Sequence, residues 1–493
     1  MRPASPDTPA CFGIAATKFQ CPACGGALKR TASDGLDCQS CGHDVAVQDG
    51  IVDFVAGSAG TSLDDIDYDA FYGIDAEHSL KLYNVLLRAT GPRWPRQLGD
   101  TMEVGCGTGG LSLELFSRIA AKSVVLTDIS PKMLRICRER LRQAIPDRAE
   151  GFAFATYSGS ETCFRAASFD SCVGSAVVHH IVDVPLFLRQ VQALLKPTGF
   201  AFFMEPNRAF HSALTRTMAD VLADFLRYDT APHEDISRMM NWMAEVHCSV
   251  VNAGDMEVLA EREDKHYFVD STFLAWAREA GFDGVEALPC DPDPTGWSTA
   301  QNYMGQCHIR PAAFETLRRA WPSYYKQYFS DLKPADRSPS YCFWLKKGVT
   351  REGFFSTPGP TSLVRNAPVE IQLDTKLTSS ADAVDIVIEG WCLADRPVGS
   401  LQFSTGTIRR RLPVWLPRGD VELAMNPNGA YPALNALCSG VRGTIRLPAL
   451  PDTQAGIALS VQVVFEGGDV LDTATLTVAG DGATQSFHCN VPP

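Results

Sequence analysis

Four groups of residues in this chain combine types and spacings suited to chemistry. The first is Thr101-Met102-Glu103-Val104-Gly105-Cys106-Gly107-Thr108-Gly109-Gly110, an apolar strand running into a glycine-rich turn. Glycines 105, 107 and 109 let the backbone turn tightly and approach a ligand closely, and a helix that follows aims free N–H groups at the turn. A second apolar stretch, Ser123 to Thr127, ends in Asp128, placed to take the two ribose hydroxyls of a nucleoside. The second group is His179-His180, with Glu205 further on, and the third is His266 with Asp264 two residues before it. A histidine near neutral pKa is suited to removing a proton from a hydroxyl, and a neighbouring acid can orient it. Against this, one histidine of the 179–180 pair can serve only to orient its loop, and Asp264/His266 can be a salt-bridged helix start. Glu205 can accept a proton or a substrate hydrogen bond. The fourth group is Cys21-Pro22-Ala23-Cys24 and Cys38-Gln39-Ser40-Cys41. Two C-x-x-C knuckles at this spacing supply four thiolates that close a tetrahedron around Zn2+ and leave no position for water, so the metal is structural. Redox-active or accidental cysteine pairs are the other reading. His43 is an additional donor that a four-cysteine site does not need.

These groups must be positioned by folded elements, and the chain is long enough for several domains. Its 493 residues are 45% hydrophobic and 20% charged, which excludes wholesale disorder. A net charge of −13 argues against a nucleic-acid backbone as the main partner. The sequence has neither an apolar leader nor an apolar run of membrane-spanning length. With cysteines such as Cys137, Cys172 and Cys342 lying in apolar runs, this predicts a soluble cytoplasmic protein with reduced thiols.

Taken in order, residues 1–17 read as a flexible lead, 18–55 as a zinc ribbon and 56–66 as a linker. Residues 66–348 read as one α/β domain interrupted by insertions at 207–265 and 291–340. Tyr68, Phe71 and Tyr72 lead into a helix over 76–89. Strands at 101–105, 123–128, 152–157, 169–177 and 200–205 alternate with helices at 111–121, 131–143 and 184–195, which indicates a parallel sheet. Ser130 and Pro131 mark the start of the second of these helices. The first insertion carries helices at 209–228 and 235–246, and the second a helix over 312–329. A helix at 271–280 precedes strands at 285–289 and 341–346. From 350 to 493 short alternating stretches between Gly, Pro, Asn and Asp turns predict an all-β sandwich.

The run E-x-G-x-G-x-G at 103–109, Thr127-Asp128-Ile129-Ser130-Pro131-Lys132-Met133-Leu134, the Phe169-Asp170 strand and Lys196-Pro197-Thr198-Gly199 resemble class I S-adenosylmethionine (SAM) methyltransferases, in correct order over residues 101–290. The resemblance implies a Rossmann-like seven-stranded sheet closed by a reversed hairpin. It implies cofactor contacts from Glu103, Gly105, Cys106, Gly107, Gly109, Asp128, Ile129, Met133, Ser158, Gly159 and Ser175. It places His179 and His180 beside the methyl group and the helix at 76–89 over the cofactor; Glu205 stands at the end of the fifth strand, and the insertions, leaving the carboxyl-end side of the sheet or its edge, are expected to roof the acceptor site. One departure is the acid that the family carries after its third strand for the adenine amino group. Here that place reads Ser158-Gly159-Ser160, so a serine or a backbone group serves, or Glu161 does if the loop is shifted.

The cysteine module resembles the zinc ribbon that precedes the catalytic domain in some bacterial methyltransferases. The stretch from Gly390-Trp391-Cys392 to Ser460-Val461-Gln462-Val463 resembles, at spaced positions, β-sandwich domains attached to bacterial glycosyltransferases and surface-glycan enzymes. Together these imply SAM as cofactor, a structural zinc, and methyl transfer to a hydroxyl of a sugar, glycan or small molecule. Two other readings stand beside it. Some ribosomal-RNA guanine methyltransferases put a ribbon before the same fold, and an inert SAM-type fold can act as a binding protein.

Overall fold

The computed structural model describes residues 13–14, 17–31, 35–55, 76–91, 94–228, 233–348, 368–380, 382–448, 456–478 and 484–491. Most of the expected lead, the 56–66 linker and the aromatics Tyr68, Phe71 and Tyr72 lie outside these residues. The chain divides into two compact units. One takes the described residues up to 207 with 268–292 and 338–348. The other takes 208–267, 293–337 and the described residues from 368 onward.

The first unit begins with three short antiparallel strands, β1 (Leu28–Arg30), β2 (Leu36–Cys38) and β3 (Asp44–Val45), which hold the cysteine knuckles. Next come β4 (Val47–Gln48), β5 (Ile51–Val52) and helix α1 (Ala76–Thr90). The alternating part follows as β6 (Gln97–Val104), α2 (Gly110–Arg118), β7 (Ala120–Asp128), α3 (Pro131–Ala144), β8 (Phe152–Thr156), β9 (Phe169–Ser175), α4 (Val184–Leu194) and β10 (Leu195–Pro206). Helix α5 (Asp270–Glu279), β11 (Gly284–Cys290) and β12 (Ser340–Lys346) complete the unit.

The sheet order is β11-β12-β10-β9-β6-β7-β8-β5-β4. From β5 to β10 neighbours run parallel, and β12 is antiparallel to both β10 and β11. This is the expected seven-stranded sheet with its reversed hairpin, widened by two strands. The addition comes from the ribbon module, whose β4–β5 hairpin pairs along β8. The central strands are apolar on both faces because helices cover them, as parallel sheets require. Their core joins Leu111, Leu115 and Phe116 of α2 to Leu126, Phe154, Phe202 and Trp344 of the sheet.

Two boundaries differ from the sequence expectation for local reasons. Helix α2 stops at Arg118 because Ile119 is already extended, so β7 begins at Ala120. The Lys196–Gly199 stretch is part of β10, with a register shift against β9 between Leu195 and Phe200. A third difference concerns thiols. Cys290 and Cys342, on neighbouring strands, form a disulfide with Cα atoms 6.0 Å apart, so Cys342 is not the free buried thiol that its apolar run suggested. Among the described residues, no helix is long and apolar enough to cross a membrane.

The second unit contains both insertions. Helices Arg208–Tyr228 and His233–Val251 pack on each other. The expected 312–329 helix is interrupted: Pro311–Ala320 and Tyr325–Phe329 flank a 3-10 turn, Trp321–Ser323, with Pro322 as the breaker. A further helix, Trp297–Gln306, precedes them. The C-terminal region is mainly β, with strands β13 (Val369–Ser379), β14 (Ala383–Ala394), β15 (Val398–Thr405), β16 (Ile408–Leu416), β17 (Gly440–Pro448), β18 (Ile457–Phe465), β19 (Val470–Val478) and β20 (Thr484–Val491), and two short helices, Gly419–Met425 and Ala433–Leu437, between β16 and β17. The strands form one antiparallel succession, β19-β18-β15-β16-β17-β14-β13-β20, whose alternating inward residues share a single core. The helical insertions pack with this region, since Phe210, Leu214 and Trp321 share a buried cluster with Leu434 and Leu437. The insertions are therefore built into the same unit as the β region, although the chain reaches them from the α/β sheet.

Candidate functional site

The sheet order reverses between β6 and β9, and the loops leaving their carboxyl ends diverge there, which opens a crevice in a fold of this type. The glycine turn follows β6. Gly105 and Gly107 both hold positive φ, 62° and 53°. A Cβ on Gly107 would meet nothing within 4 Å, so the outer face of the turn is open to a ligand. A Cβ on Gly105 would lie 2.2 Å from Val177 Cγ2, so this glycine lets the turn pass the segment after β9. Gly109, at φ 94°, stands at the N-terminus of α2.

Asp128, at the end of β7, is fixed from two sides. Gly107 N–H donates to one carboxylate oxygen at 2.9 Å and Ser130 N–H donates to the other at 2.9 Å. The acid is thus clamped to the glycine turn and half-exposed beside it. Ile129, next in the chain, is exposed although apolar. Ser130 caps α3, its hydroxyl accepting from Met133 N–H at 3.2 Å, with Pro131 at the first helical position, an arrangement that contributes about 1 kcal/mol. Glu103 lies beneath the turn, fully buried, and accepts from the Ser112 hydroxyl at 2.8 Å. Burial pushes its carboxyl up to about 8; the Ser112 hydroxyl opposes the shift and the negative charge of Asp128 adds to it. The Cys106 thiol is buried and likewise raised.

After β8 the chain places an acid where the strand ends. The Glu161 carboxylate accepts from Ser158 N–H at 2.8 Å and from the Ser158 hydroxyl at 2.5 Å. Gln190 Nε2 donates to Ser160 O at 2.9 Å. Glu161 was the minor alternative from the sequence, yet the S-x-x-E spacing was a usable signal, because it lets a glutamate reach back to the first residue's N–H.

On the other side of β6, residues Val178–His180 make a 3-10 turn just past β9. Glu205, with no exposed surface, sits at the end of neighbouring β10. One of its oxygens accepts from Val177 N–H at 3.1 Å and Val178 N–H at 2.8 Å. The other accepts from His179 N–H at 3.2 Å and meets His179 Nδ1 at 2.7 Å. With the carboxylate as acceptor in this contact, Nδ1 is the donor. The His180 ring lies 3.9 Å from the His179 ring, centroid to centroid. The sequence singled out His179, His180 and Glu205 separately; the structure joins His179 to Glu205 as one unit. Ser175 is the last residue of β9, paired with Met204. His266 belongs to the second unit, where it is buried beside Gly254, and Asp264 there accepts from the Tyr267 hydroxyl at 3.4 Å.

The four cysteines of the ribbon converge. All four sulfurs lie within 4.8 Å of one another, with Cys21–Cys41 at 3.7 Å and Cys24–Cys38 at 3.4 Å. Tetrahedral thiolates at about 2.3 Å from Zn2+ stand about 3.8 Å apart, so the set fits that ion.

The fold and the glycine–acid turn define a Rossmann-like nucleotide-binding sheet. Residues 102–201, covering β6 to the middle of β10, match the family model described as "Methyltransferase domain". That stretch is therefore similar to methyltransferase domains. The chain is similar to trichosetin synthetase PKS-NRPS1 of Gibberella fujikuroi, 28% identical over 149 residues, which is 29% of this chain and 4% of that protein. It is also similar to malonyl-[acyl-carrier protein] O-methyltransferase of Magnetococcus marinus, 35% identical over 112 residues, 23% of this chain and 38% of that one. The chain thus spans only a minor part of these relatives. Among solved structures it is similar to a SAM-dependent methyltransferase from Mesorhizobium loti, at 18% identity and a TM-score of 0.31, covering 53% of this chain and 98% of the other.

Proposed function

We propose that the protein transfers a methyl group from SAM to the hydroxyl of a sugar, glycan or other small molecule, and that Cys21, Cys24, Cys38 and Cys41 hold a structural Zn2+. One observation carries this reading: an open glycine turn clamped to Asp128 shares a sheet edge with a histidine whose Nδ1 is bonded to Glu205. When bound, SAM supplies a methyl group on a sulfonium, open to in-line displacement.

The chain's part is to hold, orient and deprotonate. Asp128 takes the ribose hydroxyls on its outer lone pairs. Ile129 and Met133 flank the base, and the Ser158-Gly159 backbone with Glu161 meets its amino edge. The turn at 105–109, with Glu103, Cys106 and Ser175 around it, lines the amino-acid end. His179 Nε2 would take the proton that the acceptor hydroxyl loses, with SAM supplying the methyl group. Glu205 stabilises the imidazolium that results, through the 2.7 Å contact. His180 lies tilted against that ring, 46° from its plane.

A second reading has a specific observation behind it. The 35% match to a malonyl-carrier O-methyltransferase favours an acyl carboxylate carried on a protein as acceptor. A carboxylate is already ionised and needs no base. The two separate in a screen with radiolabelled SAM against free sugars and polyols, glycan fractions, acyl-carrier conjugates and total RNA, run for wild type and His179→Ala. A hydroxyl acceptor loses label in the variant. Labelling of an acyl-carrier conjugate that survives His179→Ala overturns the hydroxyl reading. Labelled RNA overturns both, and zinc-free purified protein overturns the metal assignment.

A further inference from the structure

We propose that the cysteine ribbon is a brace for the cofactor loop after β8, so that metal on its four thiolates sets the affinity for the nucleoside end of SAM; this rests on the methyltransferase reading above. The loop has two feet, and the ribbon module holds both. At the first, Thr156 closes β8. Its hydroxyl donates to Asp53 Oδ1 at 2.7 Å and accepts from Phe54 N–H at 2.9 Å and Val55 N–H at 3.1 Å. At the second, Lys18–Gln20 runs antiparallel to Cys163–Arg165: Gln20 N–H donates to Cys163 O and Arg165 N–H to Lys18 O, each at 2.8 Å. Arg165 Nε adds a bond to Phe19 O at 2.9 Å, and Lys18 Nζ donates to Ser168 O at 2.7 Å.

Between the feet, an aromatic knot fills the space. Phe19, with no exposed surface, lies 5.3 Å from Phe54 and 5.5 Å from Phe164, and Phe164 lies 5.2 Å from Tyr157. Tyr157 starts the loop, and its hydroxyl bonds Gln190, which also holds Ser160 O. The loop tip that this frame carries is Ser158–Glu161.

Phe19 and Gln20 run directly into Cys21, the first thiolate, and eleven residues carrying β3, β4 and β5 connect Cys41, the last, to Asp53. Metal binding and loop position are therefore adjacent in the chain at Phe19–Cys21 and linked through β3–β5 at the other foot. The ribbon itself has strands of two or three residues and a core of little more than Leu28, Leu36, Cys38 and Val45. So small a module does not hold its shape without the metal, because binding free energy is its folding free energy. Loss of metal frees Lys18–Cys21, opens the knot at Phe19, and leaves the tip to sample other arrangements. Affinity then falls by the fraction of time that the tip spends in the binding arrangement. Phe19 is in this sense a positioning residue, buried in the knot against Phe54 and Phe164.

The test uses the full chain. Zinc content, calorimetric titration with SAM and with adenosine, and hydrogen exchange over 157–165 are measured for wild type, Cys24→Ser, Phe19→Ala and Phe19→Leu. Cys24→Ser, at an exposed ligand, removes the metal. Phe19→Ala opens the knot with the metal in place, and Phe19→Leu refills most of it. The expected result is a loss of about tenfold or more in affinity for both SAM and adenosine in Cys24→Ser and in zinc-loaded Phe19→Ala, with Phe19→Leu close to wild type. Exchange should rise over 157–165 while α3 stays protected. Wild-type affinity in metal-free Cys24→Ser or in Phe19→Ala overturns the brace. If wild type binds no SAM, the methyltransferase reading falls, and exchange decides the brace alone: unchanged protection over 157–165 in the metal-free protein overturns it.

Discussion

On one side of β6, Asp128 is clamped by N–H groups of Gly107 and Ser130, the second of them only two residues away. On the other, Glu205 gathers N–H groups from Val177, Val178 and His179 and the ring of His179, residues 26 to 28 positions earlier in the chain. The first half presents an acid outward at a turn with open space over it. The second buries its acid completely and presents a histidine instead. A ligand's hydroxyls can be read by an exposed carboxylate that is already desolvated on one face. Proton removal needs a base whose charge is compensated, which a buried carboxylate supplies. On the proposed reading, cofactor recognition and acceptor chemistry divide between the two loops, which meet at Gly105, its missing Cβ leaving room for Val177.

This division can be broken from either side. The largest effect is expected from Asp128→Ala, which removes the ribose acceptor and the clamp on Gly107. Two lost charge-assisted hydrogen bonds amount to about 3 kcal/mol or more, so SAM affinity falls by about a hundredfold or beyond measurement in calorimetry. Unchanged affinity would refute the ribose contact. His179→Ala should do the reverse. Methyl transfer to a hydroxyl falls by about 10²- to 10⁴-fold while SAM affinity stays near wild type. A variant that loses both together would show that the halves are not separable.

The next comparison tests the junction. Gly105→Ala puts a methyl group against Val177 in left-handed backbone and should cost about 2–4 kcal/mol of stability, seen as a lowered Tm, with loss of both affinity and transfer. Gly107→Ala has open space and should cost only about 1 kcal/mol of backbone strain. Equal effects would mean that Val177 yields freely.

The last comparison concerns pH. Glu103 is raised to about 8 in the folded protein, well above an ordinary carboxyl, so folding favours its protonated form. Its contribution is complete below about pH 4.5 and is lost as pH rises toward 8, at up to about 1.4 kcal/mol per pH unit. Tm of the cofactor-free protein should therefore decline across that window, and Glu103→Gln should flatten the decline. An equal slope in the variant would place the titration elsewhere.

The glycine–acid turn was legible in the sequence because it is local. Glycines, a strand-end acid and an N-capped helix within thirty residues each leave a type-and-spacing mark, and the structure brings all of them to one edge. The sheet was legible for the same reason, as alternation of strands and helices. The acceptor half was legible only as residue types. The His179–Glu205 bond depends on β9 and β10 being neighbours in register, which no spacing encodes. The widening of the sheet by β4–β5 was hidden because two-residue strands carry no periodicity, and their pairing with β8 is set by the aromatic knot at Phe19, Phe54 and Phe164. The insertions read correctly as helical apart from the break at Pro322. Their place with the β region follows from buried residues such as Trp321 and Leu434, far apart in sequence.

The most direct test of the whole account is calorimetric titration of the full chain with SAM at neutral pH. Saturable binding with one site per chain is predicted. No heat and no displacement at millimolar SAM would contradict the account, because a glycine turn clamped to Asp128 would then hold no nucleoside.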